Sequence, residues 1–307
     1  MDEGASRRPL MHLLLCCNDT YLQHLFVALT SLAEQPSRYV YEVVVVMQGG
    51  DPATHDRIAR EALARYEHVR VAFRRFIPDP SLVLPIRIHY TIDIFTRLWV
   101  ADFFAEEVDR VLYLDSDLVI VESLDPLWET PLRDRTIGAV SIPGSTRCRL
   151  FDIPEAAGYF NSGVMLIDLG RWRKTRAFDR LMAFIQANHA RLIDPDQDAL
   201  NAVLHHERTP LDHIWNVITP FYLPHHDLLL GPAELERVRR QARIIHFNGA
   251  SKPWSYFCRH PRRDVYWRIL RLTPWRDFQP ADRTMFNRMR RSIAMLIPGR
   301  LKRLLRR

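Results

Sequence analysis

The chain has 307 residues, of which 47% are hydrophobic, 26% charged and 10% aromatic. Such a chain can build a substantial core as one large domain or two small ones, which excludes disordered, collagen-like and low-complexity classes. The formal charge of +7 is uneven: nine basic residues and no acid lie between Arg283 and Arg307, and the remaining 34 basic and 36 acidic residues make a body of net charge −2, which argues against a general nucleic-acid binder.

From the N-terminus, residues 7–17 faintly resemble a signal peptide. The apolar stretch is short, His12 interrupts it and no small-residue cleavage site follows, so a first buried strand is expected at Met11–Cys17. Further strands are predicted at Tyr41–Met47, Val69–Phe73, Arg110–Leu114, Val119–Val121, Ile137–Ser141, Val164–Asp168 and Arg243–Phe247. Helical patterns lie between them at Tyr21–Glu34, Ala53–Tyr66, Ile92–Glu106, Arg171–His189 and Gln197–Leu204. This alternation predicts an α/β fold with a mixed, mostly parallel sheet, whose ligands should lie beyond the carboxyl ends of the strands. Pro78 to His89 reads as a long functional loop, and the alternation stops after Lys252, so the body is expected to end near residue 280. No apolar run approaches the roughly 18–20 residues of a membrane span. Cys16, Cys17, Cys148 and Cys258 form no Cys-x-x-Cys and read as small hydrophobes in a reducing compartment. Neither the dinucleotide fingerprint Gly-x-Gly-x-x-Gly nor a P-loop is present.

Chemistry-bearing residues follow several of these strands. Asp115 and Asp117 close the run Arg110-Val-Leu-Tyr-Leu-Asp-Ser-Asp. Paired hard oxygen donors suit Mg²⁺ or Mn²⁺, while the plain alternative is a turn between strands. Continued alternation would place both acids on one face, and a kink could also converge them. Asp194-Pro-Asp196-Gln197-Asp198 reads, taken alone, as the capped and dipole-compensated start of a helix. His246 ends a strand and is followed by Gly249, where backbone can approach a ligand closely, and by Lys252, which could reach a phosphate. Asn161-Ser162-Gly163 reads as a tight turn before Val164. Arg97 lies in an apolar helical pattern and needs an anionic partner, either a structural carboxylate or a ligand phosphate.

In combination, Tyr113-Leu-Asp115-Ser-Asp117, Tyr159-Phe-Asn161-Ser-Gly163-Val-Met, Asp196-Gln197-Asp198-x-x-Asn201 and His246-Phe-x-Gly249-x-x-Lys252-Pro-Trp254 occur in the order seen in glycosyltransferase family 8. The chain resembles that family from about residue 11 onward, and within it the bacterial lipopolysaccharide galactosyl- and glucosyltransferases. The resemblance implies a GT-A fold and a retaining hexosyltransferase that uses UDP-galactose or UDP-glucose. Position by position, it makes Asp115, Asp117 and His246 the ligands of Mn²⁺, with Mg²⁺ as the alternative. Asn18, Thr20, Arg97, Ser116, Gly249 and Lys252 become donor contacts together with Asp115, and Asn161, Asp196 and Gln197 line the sugar pocket as catalytic candidates. Gln197 stands at the position suspected of being the nucleophile, and an amide is a poor one, so front-face transfer is expected, with Asp196 as the fallback nucleophile. One departure is Asn18, which stands where relatives carry an acid that contacts uracil; its amide oxygen could still accept from the ring N–H. The resemblance also makes the loop at 78–89 a cover for the donor.

These readings divide the chain into a GT-A catalytic domain at 1–280 and a basic amphipathic tail at 281–307. In the tail, Met285, Phe286, Met289, Ile293, Leu296 and Ile297 share a helical face. Such a tail fits an anionic membrane surface, so the expectation is a cytoplasmic enzyme, peripheral on the inner face of the cytoplasmic membrane. The acceptor implied is a glycan, the lipopolysaccharide core, and no nucleic-acid partner is expected. Two rival readings are a phosphohydrolase of the haloacid dehalogenase type, which also places Asp-x-Asp after an apolar strand, and a non-enzymatic membrane or nucleic-acid adaptor.

Overall fold

The computed structural model describes residues 8–79, 82, 84, 92–222, 230–287 and 289. The strands are β1 (Leu10–Cys17), β2 (Val40–Met47), β3 (Val69–Arg75), β4 (Arg110–Leu114), β5 (Leu118–Ile120), β6 (Ile137–Ser141), β7 (Phe160–Asp168), β8 (Arg208–Leu211), β9 (Val217–Ile218) and β10 (Ile244–His246). The α-helices are α1 (Leu22–Ala33), α2 (Pro52–Ala62), α3 (Asp125–Trp128), α4 (Leu169–Lys174), α5 (Ala177–Asn188), α6 (Pro195–Leu204), α7 (Pro232–Arg240) and α8 (Arg263–Leu270). The main sheet has seven strands in the order β3-β2-β1-β4-β7-β6-β8. Its first four strands are mutually parallel, β7 runs antiparallel to β4 and β6, and β8 is parallel to β6. A three-stranded sheet, β5-β10-β9, stands beside it.

Period-two alternation explains why the main sheet is covered on both faces. Leu13 and Leu15 of β1, with Leu112 and Leu114 of β4, pack on the side of α1 and α2. Leu14, Val111 and Tyr113 face the other way, onto residues 92–103, α4, α5 and α6. A third apolar cluster joins the small sheet to α1, α7 and α8 and includes Trp275 and Phe278.

The passage from one sheet to the other is what builds the site. β4 ends at Leu114, the chain bends at Ser116 and Asp117, and β5 begins at Leu118 in the small sheet. The predicted kink is therefore what brings the two acids together. β5 is an edge strand whose outer backbone is satisfied by α1: the Ile120 N–H donates to Ser31 Oγ at 2.9 Å, and Ser31 in turn donates to Ala28 O at 2.7 Å. A buried N–H left unpaired costs about 1–3 kcal/mol, so this clamp holds the bend against the helix.

Several predicted elements change form. Asn161-Ser162-Gly163 lies inside β7 rather than in a turn. The helix expected at Ile92–Glu106 is a 3-10 segment, Ile92–Phe103, interrupted at Trp99. The single helix expected at Arg171–His189 is two, broken where Arg176 takes a left-handed φ of 51°. β8, β9, α3, α7 and α8 have no counterpart among the predicted elements. Among the described residues, no helix is long and apolar enough to cross a membrane. Most of the expected loop at 78–89 and most of the tail beyond 287 lie outside the described residues. Of the tail's apolar face, Met285, Phe286 and Met289 are described and are exposed.

Candidate active site

A pocket of about 370 Å³ opens at the carboxyl ends of β1 and β4, where parallel sheets place their ligands. Cys16, Asn18, Tyr21, Asp93, Arg97, Asp115, Ser116 and Asp117 are among its lining residues. Asp115 is anchored by its own N–H, which donates to Gly163 O at 2.8 Å, and Asp117 O accepts from Phe247 N at 3.0 Å. The first acid therefore belongs to the main sheet and the second to the small one. His246, paired with Leu118 across β10 and β5, projects its Nε2 to 3.1 Å from Asp117 Oδ1 and 3.5 Å from Asp115 Oδ2.

These three side chains offer two carboxylate oxygens and one ring nitrogen, all within 4.8 Å of one another. Two hard oxygens and an imidazole suit Mn²⁺ or Mg²⁺. The remaining carboxylate oxygens are held by fixed cations and a hydroxyl. Arg97 Nη2 lies 3.0 Å from Asp115 Oδ1, which also accepts from Tyr113 Oη at 2.7 Å, and Lys252 pairs with Asp117 Oδ2. Burial opposes the charges of Asp117, Lys252 and Arg97, and pairing overrides it at each of them. Asp117 is held well below the usual carboxylate range by Lys252 and His246, and Lys252 is raised by Asp117.

Arg97 answers the need for an anion with two structural carboxylates. Its Nε sits 3.2 Å from Asp196 Oδ2, and its Nη1 donates to Ser162 O and Oγ. The guanidinium also stacks over Tyr113, 4.6 Å from the ring centre. Asp196 thus points into the site instead of capping α6. Burial pushes its carboxyl up to about 6 against the opposing pull of Arg97. The turn into α6 is held instead by Asp198, which is fully buried and accepts from the N–H groups of Ile193 and Asp194 and from Arg147.

Asn161 and Gln197 meet directly: Asn161 Nδ2 donates to Gln197 Oε1 at 2.9 Å, and Ser162 N donates to the same oxygen at 3.0 Å. Gly249 has a φ of 82° and nothing within 4 Å of where a Cβ would stand. The left-handed turn requires glycine there, and the open face leaves room for a ligand. Thr20 is exposed and bonds only locally: its N–H and hydroxyl both donate to Asn18 Oδ1, at 3.1 and 2.6 Å. The Asn18 oxygen is thereby already occupied by capping bonds, and Asn18 Nδ2 donates to Asp93 Oδ2 at 2.9 Å. Asp93 was not singled out in the sequence, where it looks like an ordinary polar residue at the start of an apolar segment.

Asn216 and Gly163 were also missed as site-builders. Asn216 is fully buried and accepts from His246 Nδ1 at 2.9 Å. Gly163 lies beneath the ring: a Cβ there would fall 2.3 Å from His246 Cε1 and 2.6 Å from Asp115 Oδ2. Gly163 stands 83 residues and Asn216 30 residues before His246, so neither position carries a spacing that announces its partner.

A family model described as glycosyl transferase family 8 matches residues 12–258. General stress protein A of Bacillus subtilis is 28% identical over 272 residues, which is 87% of this chain and 95% of that protein. Lipopolysaccharide 1,2-glucosyltransferase of Escherichia coli K12 is 25% identical over 267 residues, covering 85% and 78% of the two chains. The crystal structure of the galactosyltransferase LgtC with donor and acceptor sugar analogues superposes with a TM-score of 0.74 at 23% identity, over 87% of this chain and 99% of that one. The fold is therefore of the GT-A type.

Gly163→Ala should leave the sheet formed and destroy the carboxylate–imidazole cluster, because the nearest atoms belong to His246 and Asp115. The expected result is an unchanged far-ultraviolet circular dichroism spectrum with Mn²⁺ affinity lowered about tenfold or more. Unchanged affinity, measured by electron paramagnetic resonance of free Mn²⁺, would remove Gly163 from the architecture of the site.

Proposed function

The chain belongs to glycosyl transferase family 8, and from that premise we propose that it moves galactose or glucose from a UDP-sugar to a glycan acceptor with retention of configuration. The observation that carries this reading is the convergence of Asp115, Asp117 and His246 with Lys252 at a pocket that also presents the ring of Tyr21. Asp115, Asp117 and His246 Nε2 would hold Mn²⁺, or Mg²⁺ in its place, and a bound cation would supply Lewis-acid neutralisation of charge on the leaving UDP. Lys252 and the open backbone at Gly249 face the diphosphate, and Ser116 lies between the two acids. Arg97, Asn161, Asp196 and Gln197 form the wall against the donor sugar.

The wall argues about mechanism. Gln197 is an amide whose oxygen accepts from Asn161 and Ser162, so it is both weakly nucleophilic and already engaged. Asp196 is buried and paired to Arg97. Neither is a ready nucleophile, which favours front-face transfer through a short-lived oxocarbenium ion pair, with the leaving phosphate taking the acceptor's proton. Gln197 then stabilises positive charge on the sugar through its oxygen. At the base end, Asp93 offers the anionic acceptor for the uracil N–H that Asn18 does not.

The acceptor we infer is lipopolysaccharide core, supported by the similarity to the Escherichia coli glucosyltransferase. We assign residues 1–280 to catalysis and 281–307 to an anionic membrane surface, on the inner face of the cytoplasmic membrane. The exposed Met285, Phe286 and Met289 begin the apolar face of that segment. Membership of the family leaves the phosphohydrolase and adaptor readings without support.

The direct test is release of UDP from UDP-galactose and UDP-glucose. Release should require Mn²⁺ or Mg²⁺ and vanish in Asp115→Ala. Gln197→Ala should slow transfer about 100-fold, and Asp93→Ala should raise the donor KM while leaving kcat close to the original. Cleavage of phosphate esters with no action on either UDP-sugar would favour the phosphohydrolase instead. A second experiment addresses the tail: deleting residues 283–307 should release the protein from anionic vesicles while activity on a soluble acceptor survives. Loss of both would contradict the division.

A further inference from the structure

The side chains behind His246 form a directional chain whose polarity can be read from its two backbone anchors. Gly163 N–H donates to Asn161 Oδ1 at 3.1 Å, which fixes the Asn161 amide with its oxygen on that side. Asn216 approaches the same oxygen at 2.8 Å, so it must do so with its NH₂ group. The Asn216 oxygen is then the atom that faces His246 Nδ1, at 2.9 Å. Turning the Asn216 amide over would set its oxygen against the Asn161 oxygen, which already accepts from Gly163 N–H. An amide oxygen only accepts, so Nδ1 of His246 carries a hydrogen.

The other end is anchored in the same way. Ser162 N–H donates to Gln197 Oε1, which points Gln197 Nε2 at Tyr159 Oη, 3.3 Å away, and Tyr159 Oη donates to Asp198 at 2.5 Å. Asn216 is fully buried, His246 is 2% exposed and Asn161 is 8% exposed, so water does not compete for these bonds. The backbone of Asn216 is held as well, through Asn216 N to His213 O at 3.2 Å and Ile218 N to Asn216 O at 3.0 Å.

We propose that Asn216 is a positioning residue for the cation site: its oxygen holds His246 with hydrogen on Nδ1 and the Nε2 lone pair turned toward Asp115 and Asp117. Through Asn161 the same amide chain ties the imidazole to Gln197, so the metal ligand and the residue facing the sugar share one rigid support. Ligating imidazoles commonly rely on such a partner on their other nitrogen. The inference rests on the reading of Asp115, Asp117 and His246 as a divalent-cation site, and it holds whichever hexose is transferred.

Two measurements on the full-length protein test it. Long-range ¹H–¹⁵N spectra of the Mg²⁺-loaded wild type, with His246 assigned by comparison with His246→Gln, should show hydrogen on Nδ1 and none on Nε2. The opposite tautomer would overturn the proposal without any variant at position 216. Titration with Mn²⁺ followed by electron paramagnetic resonance should show Asn216→Ala weakened about 10- to 100-fold. Asn216→Asp, which keeps an oxygen facing Nδ1 but loses the donor to Asn161 Oδ1, should fall between Asn216→Ala and wild type. Equal affinity in wild type and Asn216→Ala would overturn this inference alone. A wild type that binds no Mn²⁺ would instead overturn the cation-site reading beneath it.

Discussion

The site is built around the mutual repulsion of two carboxylates held close together. Asp115 and Asp117 share one face of a bend, with His246 between them and Asp196 reaching the same region through Arg97. Arg97 and Lys252 are the cations paired to this group, against three acids. Buried charges of this kind persist only when they are paired and hydrogen-bonded. Three carboxylates against two fixed cations leave the group one positive charge short, the charge that a bound cation would supply.

The two-sheet architecture follows from that demand. One sheet alone could deliver Asp115, Tyr113 and the Gly163 carbonyl. It could not also present an imidazole and an ammonium from the opposite direction. The bend at Ser116 transfers the chain to the small sheet, where antiparallel pairing of β5 with β10 sets His246 beside Leu118. Lys252 follows six residues later, its Nζ held by Asp117 and by Phe247 O at 3.0 Å. The clamp from Ser31 to Ile120 and the amides of Asn161 and Asn216 join the sheets where a small displacement would separate Asp115, Asp117 and His246.

Much of this was legible in the sequence, for physical reasons that differ by element. Strands such as Val43 to Met47 are buried on both faces and read as unbroken apolar runs. The Asp-x-Asp pair, His246 and Lys252 stood out because chemically active residues followed strands in an order that resembles one family. Asn161-Ser162-Gly163 looked like a turn because its composition is that of turns. Its glycine is instead a space-maker inside β7 for the ring of His246, a relation between residues 83 positions apart. Asn216 and Asp93 were silent because their roles lie wholly in tertiary contacts. The broken helix at Arg176 and the 3-10 form of residues 92–103 likewise follow from packing, which places Arg97 against three separate elements.

The proposed activity depends on Asp115, Asp117 and His246 Nε2 together binding the cation that receives UDP. Crystals grown with Mn²⁺ and UDP, and measured on both sides of the manganese absorption edge, test it most directly. One anomalous peak is expected within coordination distance of all three side chains and of diphosphate oxygens, with Lys252 turned toward the phosphate. A peak bound without His246, or UDP seated in the pocket with Lys252 still on Asp117 and no peak beside it, would rule out this three-residue cation site.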